Sequence, residues 1–427
     1  MLKESFEKYK IYQLLAIFIV CQPVIDFLTS LMVRYVAFPL TIGIVVRALF
    51  VVAMFLYVMW YVPKEKKKMS ILITIATILY GIVFLLVHYQ GLSSIFVNFR
   101  GLFKTFYFPL LLVYFMELSQ YDDYRLDHKY FFYCAMIYII VIILADITHT
   151  NFYSYQYEKL GHVGWFYAAN EIGAILAILS PAAINYILKQ KPIFISIPFV
   201  IIYAYVVLIV GTKVPYLGFM GSLVALLIAY IVNRNWKYVL SLGCCALLSL
   251  ALFPGSNLAQ NMNIHISSLF PQGEETGPAM SEEEKITNLV LSSRDLYLAQ
   301  NLRMFHDSSL SHHVMGIGYL DQGEELKVVE IDYADIYICN GYLGMLIVLV
   351  AFGYACIIIV QKLLSQQLLK FVFQSKFFSM SIGAVLGLGI AAMAGHVLTA
   401  PAVSLYLVLY ASQMSITIRP NDLIQDK

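Results

Sequence analysis

The sequence predicts an all-α, polytopic membrane protein with about twelve transmembrane helices and one large extracytoplasmic loop. Composition points there first. Hydrophobic residues make up 60% of the chain and charged residues only 13%, where a soluble domain carries about 25% charge. The mean hydropathy is +0.76. Second, the apolar residues fall into helix-length runs parted by short polar joints, as bilayer crossing demands. Third, Lys and Arg gather on alternate joints. The net charge of +2 says little about partners, because distribution outweighs the sum. The six cysteines (Cys21, Cys134, Cys244, Cys245, Cys339 and Cys356) lie in or beside apolar runs without C-x-x-C spacing. Neither a disulfide framework nor a zinc site is expected.

In chain order the apolar runs lie near 11–33, 38–62, 69–89, 92–116, 130–149, 167–188, 193–211, 214–232, 237–253, 336–360, 377–395 and 398–417. The first is too long for a cleaved signal peptide and carries Asp26, so it reads as a retained span. With the N-terminus inside, the cytoplasmic joints hold Lys3, Lys8 and Lys10, PKEKKK at 63–68, Arg125 and Lys129, and Lys189 and Lys191. They continue with Arg234 and Lys237, then Lys362, Lys370 and Lys376, and finally Arg419 and Lys427. The short outer joints hold only Arg34, Lys159 and Lys213. This bias puts both termini in the cytoplasm and the loop at 254–335, between the ninth and tenth spans, outside. Asp122–Asp123 in YDDY is a solvated cytoplasmic pair by position. No internal repeat is visible, so residues 1–427 read as a single membrane domain, and inverted-repeat transporter folds are disfavoured.

Charge inside a span is costly and faces a bundle interior or a wet cavity. Asp26 and Arg47 sit at similar depth in the first two spans and read as a structural pair. Arg100 and Lys104 share one face of the fourth span at i,i+4, and that helix offers no carboxylate in reach. Asp146 and Glu171, near the outer surface, are candidates to serve one of them. Lys213, with Arg294 and Arg303 from the loop, adds to a surplus of positive charge in a low-dielectric setting, which suits a buried diphosphate. The plainer reading is a set of unrelated structural pairs.

In the loop, Ser281 and Glu284 have capping-box spacing and open an amphipathic helix to about Leu291. A second helical run from about Ser293 to Phe305 carries Arg294 and Arg303. Their separation is about 2.5 turns, so a straight helix points them apart. Arg294 is the candidate for a site and Arg303 a solvated or capping charge. His312 and His313, before MGIGYL, read as surface residues. Further on, a helix starting before Asp332 puts Asp332 and Asp335 at i,i+3 on one face at the membrane edge. Two close carboxylates resist joint ionisation, and one poised in this way makes a general base. Two other readings stand beside it. One is N-terminal acids complementing the helix dipole. The other is Glu330, Asp332 and Asp335 as ligands for a divalent cation, on a weak pattern.

These motifs, in their order, carry a resemblance. GHVGWFYAANEIGAILAILSP (161–181) resembles the G-x-F-x-x-x-N-x-x-G-to-Pro stretch of the O-antigen ligase and O-antigen polymerase family. VGTKVPYLG (210–218) is similar to that family's S-[RK]-x-x-x-[LG] turn. SSRDLYLAQNLRMF…MGIGYL (292–320) resembles its S-x-R, apolar helix and G-x-G element, and NGYLG (340–344) the G-x-x-G that closes the loop. The resemblance implies a membrane-integral glycosyltransferase of the C type, with a GT-C-like fold and no cofactor or metal. It implies a polyprenyl-diphosphate-linked oligosaccharide as donor, used at the outer face of the plasma membrane. Membrane lipid, a flippase and a chain-length regulator are the implied partners, and nucleic acid is not among them. By resemblance Arg294 matches the family's loop Arg, and Lys213 stands where an Arg is usual. Many ligases have a His about eleven residues before the G-x-x-G pair, where this chain has Glu330. Glu330, Asp332 or Asp335 would then replace it as the base, with His396 in MAGHVLTAP the outer-face alternative.

The expected activity is polymerisation of lipid-linked repeat units of a surface polysaccharide. The missing His disfavours a ligase that passes the glycan to another acceptor. Arg100, Lys104, Lys213 and Arg294 are expected to hold the donor diphosphate, where charge develops as it leaves, while the base activates an acceptor hydroxyl. A lipid-linked oligosaccharide flippase also wants a cationic cavity, but rarely needs about 80 outer residues with clustered carboxylates. A non-enzymatic assembly partner needs no intramembrane Arg and Lys.

Overall fold

The computed structural model describes residues 2–36, 41–121, 124–154, 159–269, 294–321, 324–365 and 376–416. Asp122–Asp123, the capping-box residues Ser281 and Glu284, and Lys370, Arg419 and Lys427 lie outside the described residues. Each apolar run coincides with a helix. In order these are α1 (Leu2–Tyr35), α2 (Ile42–Tyr61), α3 (Lys68–Val87), α4 (Leu92–Tyr121), α5 (His128–Ile147), α6 (Ala169–Gln190), α7 (Ile193–Ile209), α8 (Lys213–Val232) and α9 (Trp236–Leu252). The long joint then folds into α10 (Asn257–Leu269), α11 (Arg294–His306), α12 (Leu310–Met315) and a two-residue hairpin, β1 (Leu320–Asp321) with β2 (Glu324–Glu325). The chain ends with α13 (Asp332–Ser365), α14 (Lys376–Met393) and α15 (Pro401–Met414).

Among the described residues nine helices are long and apolar enough to cross a membrane; α7 and α14 are shorter apolar helices. The 14 residues of α15 rise about 21 Å, against ~30 Å of hydrocarbon core. Its length is tolerable because it is buried by protein, packed on α4 and α6. The centre of the bundle is α4 and α6, whose apolar windows are 83% and 89% buried, against 22% in α2, α3 and α9. The peripheral helices turn Leu49, Leu56, Leu240 and Leu247 outward, the surface a bilayer would cover. Small residues bring the central helices close: a Cβ on Gly218 of α8 would lie 2.3 Å from the Ala177 Cβ of α6.

Four polar residues inside the bundle tie α1, α2 and α5 together. Arg47 Nη2 lies 2.5 Å from Asp26 Oδ1, and Arg47 also donates through Nε and Nη2 to Gln22 Oε1, at 3.2 and 3.0 Å. Tyr138 Oη donates to Asp26 Oδ2 at 2.6 Å. Both charges are buried and mutually satisfied.

Helix α13 breaks at Gly341 (φ 64°, ψ −167°), a conformation that essentially only glycine adopts. Segment 315–319 docks on the break and takes up its freed carbonyls. Ile317 N donates to Ile338 O at 3.0 Å and Gly318 N to Cys339 O at 3.2 Å. Tyr80 Oη of α3 donates to Asn340 O at 2.7 Å. A membrane helix tolerates such a break when protein groups satisfy the released backbone. The approach is close enough that a Cβ on Gly316 would lie 2.1 Å from Cys339 O.

Candidate active site

The docked segment roofs a cavity beside the N-terminal half of α4, about 750 Å³ including its open mouth. From α4 come Arg100, Gly101, Lys104 and Thr105; the roof adds Tyr319, Leu326 and Val328. Glu171 enters from the start of α6, Asp335 from α13, and His396 and Thr399 from the α14–α15 joint. Arg100 and Lys104 line the cavity together because four residues return a helix to nearly the same face. Tyr319 is seated on Gly101, where a Cβ would fall 2.4 Å from its ring. Its hydroxyl meets Thr105 Oγ1 at 2.7 Å and accepts from Asn340 Nδ2 at 2.9 Å. Its N–H donates to Asn98 Oδ1 at 3.1 Å. His88, just past α3, reaches the same segment, with Nε2 2.9 Å from Gly316 O.

The two aspartates expected to act as a pair have separate tasks. Asp332 is fully buried. It accepts from His396 N (3.0 Å), Val397 N (2.8 Å), Leu398 N (2.8 Å) and Thr399 Oγ1 (2.6 Å). Those donors fill the roughly four lone-pair sites of a carboxylate, so Asp332 anchors the α14–α15 joint and leaves the set of candidate bases. Asp335 accepts one backbone N–H on each oxygen, from Val329 at 2.7 Å and Glu330 at 3.0 Å. It keeps lone pairs to spare and lines the cavity.

Glu330 does not line the cavity. Its Oε2 accepts from Arg294 Nη2 at 2.8 Å, and its Oε1 lies 3.8 Å from His396 Nε2. Burial alone would lift its pKa, but His396 and Arg294 outweigh burial and bring it down to about 2. The exchange is reciprocal. Burial works against the charged form of His396, while Glu330, Glu171 and Asp332 together raise its pKa above the ordinary value. Glu330 is therefore too weak a base for proton abstraction, and its carboxylate favours the charged form of His396. The joint is pressed tightly here: Glu330 and His396 both have left-handed backbone (φ 64° and 58°), and a Cβ on Gly395 would lie 2.5 Å from Glu330 O.

The four cations expected at one diphosphate fall into two sets. Arg100 and Lys104 line the cavity; Lys213 and Arg294 do not. Lys213, at the start of α8, lies within the fields of Lys159 and Arg294. Glu330 sits between Arg294 and His396, with Oε2 on Arg294 and Oε1 toward His396. Arg303 is exposed on α11. Asp146 serves neither cation of α4: His162 Nε2 lies 2.9 Å from its Oδ1, and Tyr205 Oη donates to Oδ2 at 3.0 Å. Among the described residues no three His, Cys, Asp or Glu side chains converge to hold a metal. Glu330, Asp332 and Asp335 turn instead to different partners.

The GHVG and VGTK motifs meet backbone to backbone. A Cβ on Gly161 would lie 2.5 Å from Val210 O, and one on Gly211 2.4 Å from Leu160 O. Asn261 of α10 clamps them: Leu160 N donates to its Oδ1 at 2.7 Å, and its Nδ2 donates to Leu160 O at 2.6 Å and Gly211 O at 2.9 Å. This fixes the start of α8 and with it Lys213. Asn261, Thr105, Tyr319 and Thr399 were not legible as site residues. Single polar side chains in apolar or loop sequence carry no spacing to mark them.

A family model described as O-antigen ligase like membrane protein matches residues 7–276 and 271–421. No curated protein gives a significant match.

Proposed function

Because the chain belongs to the O-antigen ligase like family of membrane proteins, we propose that it is a glycosyltransferase polymerising polyprenyl-diphosphate-linked oligosaccharide repeat units at the outer face of the plasma membrane. The observation that carries this reading is the division of charge about Glu330. Lys159, Lys213 and Arg294 gather on one side, and a cavity bearing Asp335 opens on the other. A departing diphosphate needs cations where its charge develops, and Lys213 and Arg294 take that role. A sugar hydroxyl is a poor nucleophile that benefits from a base, and Asp335 takes that one. In the step, the acceptor oxygen bonds to the donor's anomeric carbon as the bond from that carbon to the diphosphate oxygen breaks. The hydroxyl proton passes to Asp335. Glu330 orients Arg294 and His396 through its two carboxylate oxygens. The polymerase reading is preferred to the ligase because Glu330 stands where ligases have a His.

The test uses purified full-length protein with lipid-linked repeat units and no nucleotide sugar. The expected product is a ladder of glycan lengths. Asp335→Asn is expected to slow it about 100-fold or more at equal folded protein. Arg294→Lys keeps the charge but loses the planar fork and is expected to be damaging too. Transfer only to a different acceptor would make the protein a ligase, and undiminished polymerisation by Asp335→Asn would remove its base.

A further inference from the structure

We propose that Arg34, lying over Phe152, is a phosphate site at the membrane surface that holds the diphosphate of the acceptor lipid. The inference rests on the polymerase reading, with Lys213 and Arg294 taking the donor. Polymerisation joins two lipid-linked units, and only the donor gives up its diphosphate. The acceptor reacts at the far end of its glycan and keeps its own diphosphate at the bilayer surface, a repeat unit's length from the reacting centre. A second anion site is therefore needed at the end of a spanning helix, on the membrane face that carries Glu330.

Arg34 meets those conditions. It is the last residue but one of the span Tyr12–Tyr35. Seven residues make close to two helical turns, so Phe27 and Arg34 share a face of α1, and that face meets the joint between α5 and α6. The Phe27 ring lies 5.9 Å from that of Trp165. The Arg34 guanidinium carbon lies 3.6 Å from the centroid of the Phe152 ring and 5.4 Å from that of Tyr167. Backbone bonds fix the platform: Phe152 N donates to Gly164 O at 2.7 Å, and Phe152 O accepts from Val163 N at 3.1 Å. The same joint leads to the site, where Asn170 Nδ2 lies 3.5 Å from Glu330 Oε2. Three residues separate Tyr167 from Asn170, so their Cα atoms are at most about 11 Å apart.

The chemistry of the arrangement suits a phosphate. A guanidinium that rests its face on an aromatic ring is held in place and keeps its planar fork of N–H donors at the rim. Arg34 is exposed, and among the described residues no carboxylate pairs with it. Two other exposed cations on this side are placed differently. Arg303 is carried by α11, and Lys327 stands over Tyr297 at 5.0 Å. Both belong to the large loop and not to the end of a spanning helix.

The experiment is calorimetric titration of the purified full-length protein, in detergent, with farnesyl diphosphate. Two equivalents are expected per chain. Arg34→Gln is expected to weaken one of them about 10- to 100-fold and Lys213→Met the other, so the equivalent that each variant keeps shows that it is folded. Phe152→Leu retains the backbone bonds and loses the ring, and is expected to weaken the Arg34-dependent equivalent alone. With lipid-linked repeat units, Arg34→Gln is expected to raise KM by a similar factor and to hold kcat. Phosphatidylglycerol in excess is expected to leave both equivalents in place. A single equivalent in the unaltered protein, two that ignore Arg34→Gln, or an unchanged KM overturns the inference. So does displacement of the Arg34-dependent equivalent by phosphatidylglycerol, which makes Arg34 a site for bulk lipid headgroups. If both equivalents bind as expected while lipid-linked units yield no polymer, the phosphate site stands and its acceptor role falls with the polymerase reading.

Discussion

At the scale of single residues, the Glu330–His396 contact makes a pH prediction with a definite sign. The raised pKa of His396 keeps its cation above the ordinary value of 6.5, and the cation is lost as pH rises through the raised value. Glu330→Gln removes one of the carboxylates that raise it and leaves burial opposed by Glu171 and Asp332 alone. The alkaline limb of the pH–rate profile is therefore expected to move to lower pH in this variant, measured as kcat/KM on lipid-linked substrate. An unmoved limb would show that His396 does not act through Glu330. Glu330 itself, depressed from 4.5 to about 2, contributes stability that is present above 4.5 and lost as pH falls through that window. Arg47 is the contrasting case. Arg47→Met leaves the buried Asp26 without its countercharge, which is expected to destabilise the fold by about 3–5 kcal/mol. Turnover per folded molecule should hold, because Arg47 lines no part of the cavity. A thermal-stability assay run beside the activity assay separates the two effects.

At the scale of elements, the broken helix α13 and the segment docked on it form one device. Gly341 holds a backbone conformation that other residues reach only at about 1–3 kcal/mol, and a Cβ there would also lie 2.4 Å from Gly316 N. Gly341→Ala is thus expected to loosen segment 315–319 and dislodge Tyr319 from the cavity. Hydrogen exchange at Ile317 and Gly318 should rise more than exchange in the centre of α6. Tyr80→Phe is a milder version: it deprives Asn340 O and Met315 O of a donor, at about 1–3 kcal/mol for a buried group left unsatisfied. If both variants leave exchange at 317 and 318 unchanged, the docking does not depend on the break.

At the scale of the whole molecule, the central pair α4 and α6 carries the site, while the outer helices present apolar faces. The Lys and Arg distribution gives this bundle an orientation that can be tested directly. Ser311→Cys, exposed beside the roof, is expected to react with an impermeant maleimide in intact cells. Glu65→Cys, exposed in the first predicted cytoplasmic joint, is expected to react only after lysis. The reverse pattern would turn the site to the cytoplasm and with it remove the lipid-linked donor outside.

The sequence alone determined the membrane class, the position of every apolar helix and the shared face of Arg100 and Lys104. Hydropathy, helical period and charge spacing are local quantities, readable within a window of one or two turns. The same locality limited the site. Asp332 and Asp335, three residues apart, were equivalent by spacing. Only the fold brings the α14–α15 joint onto Asp332, with donors 64 to 67 residues further along the chain, and leaves Asp335 facing the cavity. The division of four cations into two sets was equally hidden. Which cations stand together is decided by where the fold places α4, α8 and α11, and packing between distant segments leaves no period in the sequence.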